Sequence, residues 1–184
     1  MSANYFTNPL EFLITTLFSL YILAVMLRFL LGAVRADFYN PISQFLVRIT
    51  NPLLLPLRKV IPGIGKYDTA SLVLLLILQL TLLVVIVLLR GGNIPFVSLL
   101  LVAVLEIILL MINVFIFAIF VQVILSWINP GTHNPVSGLL YSLTGPVLHP
   151  IQRLLPPVSG MDLSPLFALI GLQVLKMLIA PLAG

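Results

Sequence analysis

The sequence predicts an all-α membrane protein with about four transmembrane helices, arranged as two parallel, pseudo-symmetric repeats. Three observations carry that reading: a composition too apolar for a water-soluble globule, four apolar blocks of spanning length, and a repeat at a fixed offset. Of 184 residues, 61% are hydrophobic and 8% charged, and the mean hydropathy is +1.23. A soluble domain carries roughly 25% charged residues, so there is too little polar surface here to cover one. The apolar blocks run over about 10–34, 70–90, 96–128 and 163–182. Each is close to or longer than the roughly 20 residues that cross a hydrocarbon core. The first has no basic segment before it and no small-residue cleavage site after it, so it reads as a retained helix.

The repeat justifies the division into 1–92 and 93–184. A shift of 94 positions aligns polar and proline landmarks without a gap. Asn40-Pro41-x-Ser43 meets Asn134-Pro135-x-Ser137, and Thr50-x-Pro52 meets Thr144-x-Pro146. Pro56 meets Pro150, Pro62 meets Pro156, Asp68 meets Asp162 and Gln79 meets Gln173. Each copy reads as a long apolar helix, a proline-punctuated amphipathic stretch (40–62 and 134–156), and a second membrane helix.

In the amphipathic stretch, Ile42, Phe45, Leu46 and Ile49 recur at helical spacing, as do Val136, Leu139, Leu140 and Leu143. Pro52 and Pro146 are expected to break the helix there, because proline lacks an N–H and clashes with the preceding turn. The two short pieces fit an interfacial helix, with one face in lipid and one in water. A re-entrant hairpin packed among the other helices is the competing arrangement. Asp68 and Asp162 stand before the second helix of each copy, where a carboxylate accepts from free backbone N–H groups and meets the positive end of the helix dipole.

Basic residues set the expected orientation. Arg35, Arg48, Arg58, Lys59 and Lys66 lie in or beside the first amphipathic stretch and Arg153 in the second; the turn between copies has only Arg90 and the N-terminal tail has none. The positive-inside rule therefore puts both stretches in the cytoplasm and both termini outside.

The motifs resemble the YggT family, called YlmG in Gram-positive bacteria, which has plastid relatives. The second copy carries the resemblance in Ser126-Trp127, Asn134-Pro135, Thr144-Gly145-Pro146, Pro150-Ile151-Gln152-Arg153, Pro156 and Gly160-Met161-Asp162-Leu163-Ser164-Pro165. The first copy has Gly32-Ala33 in place of Ser-Trp and Tyr67-Asp68-Thr69-Ala70-Ser71 in place of the final motif. It keeps the family arginine as Arg28, where the second copy has Gln122. The resemblance implies a multi-pass protein of the bacterial inner membrane. It also implies loose ties to osmotic and potassium homeostasis and to cell-division gene neighbourhoods, with plastid relatives tied to cytochrome maturation and nucleoid organisation. It supplies no catalytic residue.

The residues themselves suggest no reaction. There is no cysteine, and the two histidines (His133, His149) and five acids (Glu11, Asp37, Asp68, Glu106, Asp162) show no metal-ligand spacing. No enzyme, cofactor, metal site or nucleic-acid contact is expected. The candidate polar sites are Arg28, Gln79, Gln122, Gln173, Asp68, Asp162, Arg58, Lys59, Arg153 and Trp127. Polar groups inside spans are costly, so they carry more information than surface ones. Arg28 is expected to find Asp68, Asp162 or a carbonyl of an amphipathic stretch. Gln79 and Gln173 are expected at one depth, facing each other or each bonding within its own repeat. Glu106 is expected at the outer rim with Glu11.

Two functions fit. The first is a non-enzymatic scaffold or assembly factor at the cytoplasmic face, whose basic stretches hold anionic lipid headgroups and which contacts other membrane proteins or further copies of itself. The second is a small channel or transport component with Gln79, Gln122 and Gln173 along a polar path.

Overall fold

The computed structural model describes residues 4–63, 68–128, 134–154 and 162–183. Lys66, Tyr67, His133, Pro156 and the Gly160-Met161 pair lie outside the described residues. Six helices follow in order: α1 (Asn4–Ala33), α2 (Pro41–Val60), α3 (Thr69–Leu89), α4 (Phe96–Ile128), α5 (Pro135–Leu154) and α6 (Ser164–Ile179), the last continued by a 3-10 turn over Ala180–Leu182. α1, α3, α4 and α6 are long and apolar enough to cross a membrane, as their sequence blocks require.

The helix ends follow from local chemistry. Asn40 caps α2 by accepting from the Ile42 N–H at 2.9 Å, and Asn134 caps α5 by accepting from the Ser137 N–H at 3.0 Å. Asp68 caps α3, accepting from the Ser71 hydroxyl at 2.7 Å and its N–H at 3.4 Å. Asp162 acts one position outside α6 and accepts from the Ser164 N–H at 2.9 Å. α3 stops at Gly91 (φ 65), where the Gly91 and Gly92 N–H groups return to the carbonyls of Leu88 and Val87. This closure needs a left-handed residue. α1 closes in the same way with Arg35 (φ 53) in that place.

Both repeats are built alike. α1 packs on α3 and α2, α4 packs on α6 and α5, and each amphipathic helix also touches the second span of its own repeat. The main core gathers Ile22, Val25 and Met26 of α1, Leu74 and Leu75 of α3, Leu54 of α2 and Val114 of α4. A smaller one joins Ile119, Leu148 and Ala168 in the second repeat.

The join between repeats is not a closed pair. α3 packs against α4, yet among the described residues α6 touches neither α1 nor α3, and α2 does not touch α4. The equivalent elements α1 and α4, and α2 and α5, also touch, but the α3–α4 and α1–α5 contacts have no symmetric counterparts among the described residues, so the join is predominantly heterologous. For that reason Gln79 and Gln173 do not meet. Gln79 is buried in α3, whereas Gln173 is exposed on α6.

The amphipathic segments also depart from expectation. α2 and α5 each run unbroken through two prolines, Pro52 and Pro56, and Pro146 and Pro150. All four rings are exposed, so the lost N–H bonds fall on the side of each helix away from the core.

At 100° per residue, α2 divides into three sectors. Ser43, Leu46, Thr50 and Leu54 are buried against the other helices. Gln44, Arg48, Arg58 and Lys59 form an exposed polar sector, with Leu55 among them. Ile42, Phe45, Leu53 and Val60 form an exposed apolar sector. Buried, exposed polar and exposed apolar sectors on one helix make α2 amphipathic, the pattern that an interfacial helix uses.

Candidate functional site

Under each amphipathic helix lies a groove, and the two grooves are built from equivalent positions. Groove I, about 270 Å³, is lined by Arg28, Gly32, Ser43, Val47, Arg58 and Asp68, among others. Groove II, about 710 Å³, places Gln122, Ser126, Tyr141, Gln152 and Asp162 at the matching positions, with Trp127 and His149 beside them.

In groove I, α1 offers Arg28 to α2. Its Nη1 donates to the Thr50 hydroxyl at 2.5 Å and to the Val47 carbonyl at 3.3 Å. Thr50 is fully buried and passes its own proton to the Leu46 carbonyl at 2.6 Å. The Tyr21 hydroxyl donates to the Ile49 carbonyl at 3.3 Å, about two turns from Arg28 along α1. Arg28 therefore finds the carbonyl of an amphipathic stretch, as the sequence suggests. Arg58, near the end of α2, pairs with Asp68. Burial works to raise the Asp68 pKa, but the Arg58 guanidinium and the Ser71 hydroxyl outweigh it and hold the carboxyl below its ordinary value. The Ser43 hydroxyl is buried at the groove and has no partner among the described residues.

Groove II repeats this geometry with neutral amides in place of the two guanidiniums and the Asp162 carboxylate kept. Thr144, also fully buried, shares its hydroxyl proton between the Leu140 carbonyl at 2.8 Å and Gln122 Oε1. Gln152 Nε2 donates to Asp162 at 2.8 Å. Burial works to raise the Asp162 pKa, and the Ser164 hydroxyl and N–H with Gln152 bring it below its ordinary value. Both arginines of groove I thus become glutamines in groove II, with their threonine and aspartate partners kept. His149 lies over Gly145, where a Cβ would meet its Cε1 at 3.1 Å. Among the described residues no group of three His, Cys, Asp or Glu side chains could hold a metal.

The remaining candidates lie apart. Gln79 lines a third cavity of about 270 Å³ with Glu11, Arg90 and Glu106. Arg90 pairs with Glu11, and Glu106 lines the same cavity as that pair. Gln79 and Gln122 line different cavities, and Gln173 is exposed on α6. Lys59 and Arg153 are exposed near the ends of α2 and α5. Trp127 is 80% exposed. Sequence reasoning missed Ser43 and Thr50 as groove residues and the Arg58–Gln152 equivalence. The 94-residue shift that revealed Arg28 and Gln122 places those residues in register too.

A family model described as CCB3/YggT matches the chain twice, over residues 7–89 and 101–183. The chain is 47% identical to the uncharacterised protein PA0392 of Pseudomonas aeruginosa, over 91% of this chain and 86% of that protein. It is 38% identical to an uncharacterised protein in the proC 3' region of Vibrio alginolyticus, over 96% of each. It is also 38% identical to the uncharacterised protein YggT of Escherichia coli K12, over 94% of this chain and 90% of that one. No solved structure matches. Each family match covers one helix–amphipathic–helix unit and the groove beneath it, so this two-repeat membrane protein belongs to the CCB3/YggT family.

Proposed function

We propose that the protein is a non-enzymatic scaffold or assembly factor of the bacterial inner membrane. In this reading the amphipathic helices lie on the cytoplasmic face and groove I holds an anionic lipid headgroup. The observation that carries it is the buried Ser43 hydroxyl without a described partner, at a groove that two guanidiniums line against one carboxylate. Arg28 spends one of its two terminal amino groups on Thr50 and Val47, so donors remain for a phosphate oxygen. The exposed apolar sector of α2 would sit among acyl chains, which brings headgroups to the level of Arg48, Arg58 and Lys59. Each such cation near an anionic surface contributes about 1 kcal/mol. The cytoplasmic orientation rests on those same cations.

The test is thermal unfolding in neutral detergent with added phosphatidylglycerol, phosphatidylcholine or inorganic phosphate. Phosphatidylglycerol is expected to raise the midpoint and phosphatidylcholine is not, and Ser43→Ala with Arg58→Gln should remove most of the shift. Equal stabilisation by both lipids would refute the headgroup site. Stabilisation by inorganic phosphate alone would identify a soluble anion as the ligand. The channel reading gains less support, because Gln79 and Gln122 do not share a cavity and Gln173 is exposed away from both. Ion flux through proteoliposomes of the purified protein would reverse that preference.

A further inference from the structure

The open join between the repeats leaves two matching faces free. On α3, Gln79 is buried and Leu76, Leu80 and Leu83 are half-buried, and Gln79 and Leu83 line one cavity with Glu106 and Leu110 of α4. On the second repeat's side, α4 packs Ile107, Leu110, Met111 and the buried Val114 into the main core. The same positions one repeat away have lost their cover. On α6, Ile170, Gln173, Val174 and Met177 are all exposed. On α1, Leu13, Thr16, Leu17 and Leu20 are all exposed. Six residues of α3 are buried, whereas α6 buries only Ser164 and Ala168.

We infer that a second copy of this chain docks its α1 against α6, repeating the α3–α4 join between molecules as if the chain continued into a third repeat. The inference uses α1 and α6 only and does not depend on the headgroup reading of groove I. Three arguments favour a second copy over lipid. The first is continuity: the seam already exists within the chain, and both of its halves recur with their partners missing. The second is the glutamine. Gln173 lies nine residues past Ser164, about 14 Å along the helix, near the middle of the Ser164–Leu182 span. A carboxamide facing hydrocarbon at that depth leaves a carbonyl and an amide without partners.

The third argument is register. Gln79 and Leu110 line one cavity at the internal seam. Carried over by 94 positions, Gln173 of one copy faces Thr16 of the next. The leucine of the internal seam becomes a hydroxyl where the external seam needs a partner for glutamine. Orientation agrees as well. α3 and α4 are consecutive spans and run antiparallel, and α6 runs antiparallel to an α1 of a copy inserted the same way. A heterologous contact of this kind closes into a ring or extends as a row, according to the rotation per step.

The chain has no cysteine, so cross-linking can be directed cleanly. Two differently tagged chains, one carrying Gln173→Cys and the other Thr16→Cys, are co-expressed and oxidised in native membranes. The expected product is a mixed dimer that carries both tags, with neither variant cross-linking to itself. A chain carrying both substitutions should give a ladder at integer multiples of the chain mass. Gln79→Cys with Leu110→Cys supplies the internal control, a disulfide formed within one chain with no change of mass. Control oxidation without any mixed dimer would mean that lipid covers these faces and would overturn the inference. Self-cross-linking of either single variant would overturn it in favour of a symmetric dimer. Native mass spectrometry of the unsubstituted protein should show multiples of the chain mass, and a monomer alone would count against the inference.

Discussion

Replacing Thr50 by valine tests how groove I is held. The two side chains are nearly isosteric, so the substitution opens no cavity at this fully buried site and removes only the hydroxyl. That hydroxyl accepts from Arg28 at 2.5 Å and donates to Leu46 at 2.6 Å. The Leu46 bond is a back-bond to the preceding turn and contributes little. The Arg28 bond is charge-assisted, and hydrogen bonds to charged groups are worth roughly 1.5–3 kcal/mol. Arg28 keeps the Val47 carbonyl at 3.3 Å, which places the expected loss toward the lower half of that range, about 2 kcal/mol. Thr144→Val in groove II breaks a neutral contact with Gln122 and should cost about 1 kcal/mol. Arg28→Gln is the informative companion. It gives the first repeat the pairing that the second already uses, so it should cost less than Thr50→Val. Equilibrium unfolding by SDS titration in mixed micelles, followed by circular dichroism, measures all three. A loss below about 0.5 kcal/mol for Thr50→Val, the size expected of an ordinary surface change, would refute the argument. So would an Arg28→Gln loss larger than that of Thr50→Val.

Two further outcomes follow from the groove chemistry and from the charges. Because the Asp68 pKa is depressed on folding, its stabilisation is complete above the unfolded value, near pH 4, and is lost as pH falls through the lower folded value. Asp68→Asn should therefore flatten the acid limb of a stability–pH curve, and an unchanged limb would show that other groups govern it. For orientation, Gln44→Cys and Arg153→Cys should resist an impermeant thiol reagent in spheroplasts while Asn93→Cys reacts. Gln44 serves better than Ser43, which is buried. The opposite pattern would invert the topology.

The parts of this molecule legible in its sequence are those set by local pattern. Apolar blocks fix α1, α3, α4 and α6 because span length is a property of consecutive residues, and Asp68 reads as a cap because its donors lie within three positions. Asn40 illustrates the limit. As a cap it is visible from Pro41 beside it, but its amide also donates to the Pro135 carbonyl at 2.7 Å, a contact between repeats that no local rule contains. The Arg58–Asp68 pair spans ten positions across a connecting segment, and periodicity says nothing about it. Pro52 and Pro146 mislead because the rule that proline breaks helices describes lost bonds and not the side on which they are lost. The open join is invisible for a deeper reason: identical repeats are compatible with a closed pair and with a head-to-tail step, and only the packed faces decide between them.

The exchange of both groove arginines for glutamines has a consequence for what two repeats in one chain achieve. A homodimer of a single repeat would carry two identical grooves, both with the arginines or both with the glutamines, and one substitution would alter both at once. A fused chain carries one of each in a fixed one-to-one ratio on the same side of the bilayer. A substitution in either groove then leaves the chemistry of its twin unchanged. If copies join through α6 and α1, the alternation extends along the assembly, so that grooves with two guanidiniums beside a carboxylate and grooves with the carboxylate but no guanidinium succeed one another around a ring or along a row. Such a surface would present its neighbours with a periodic pattern of charge instead of a uniform one.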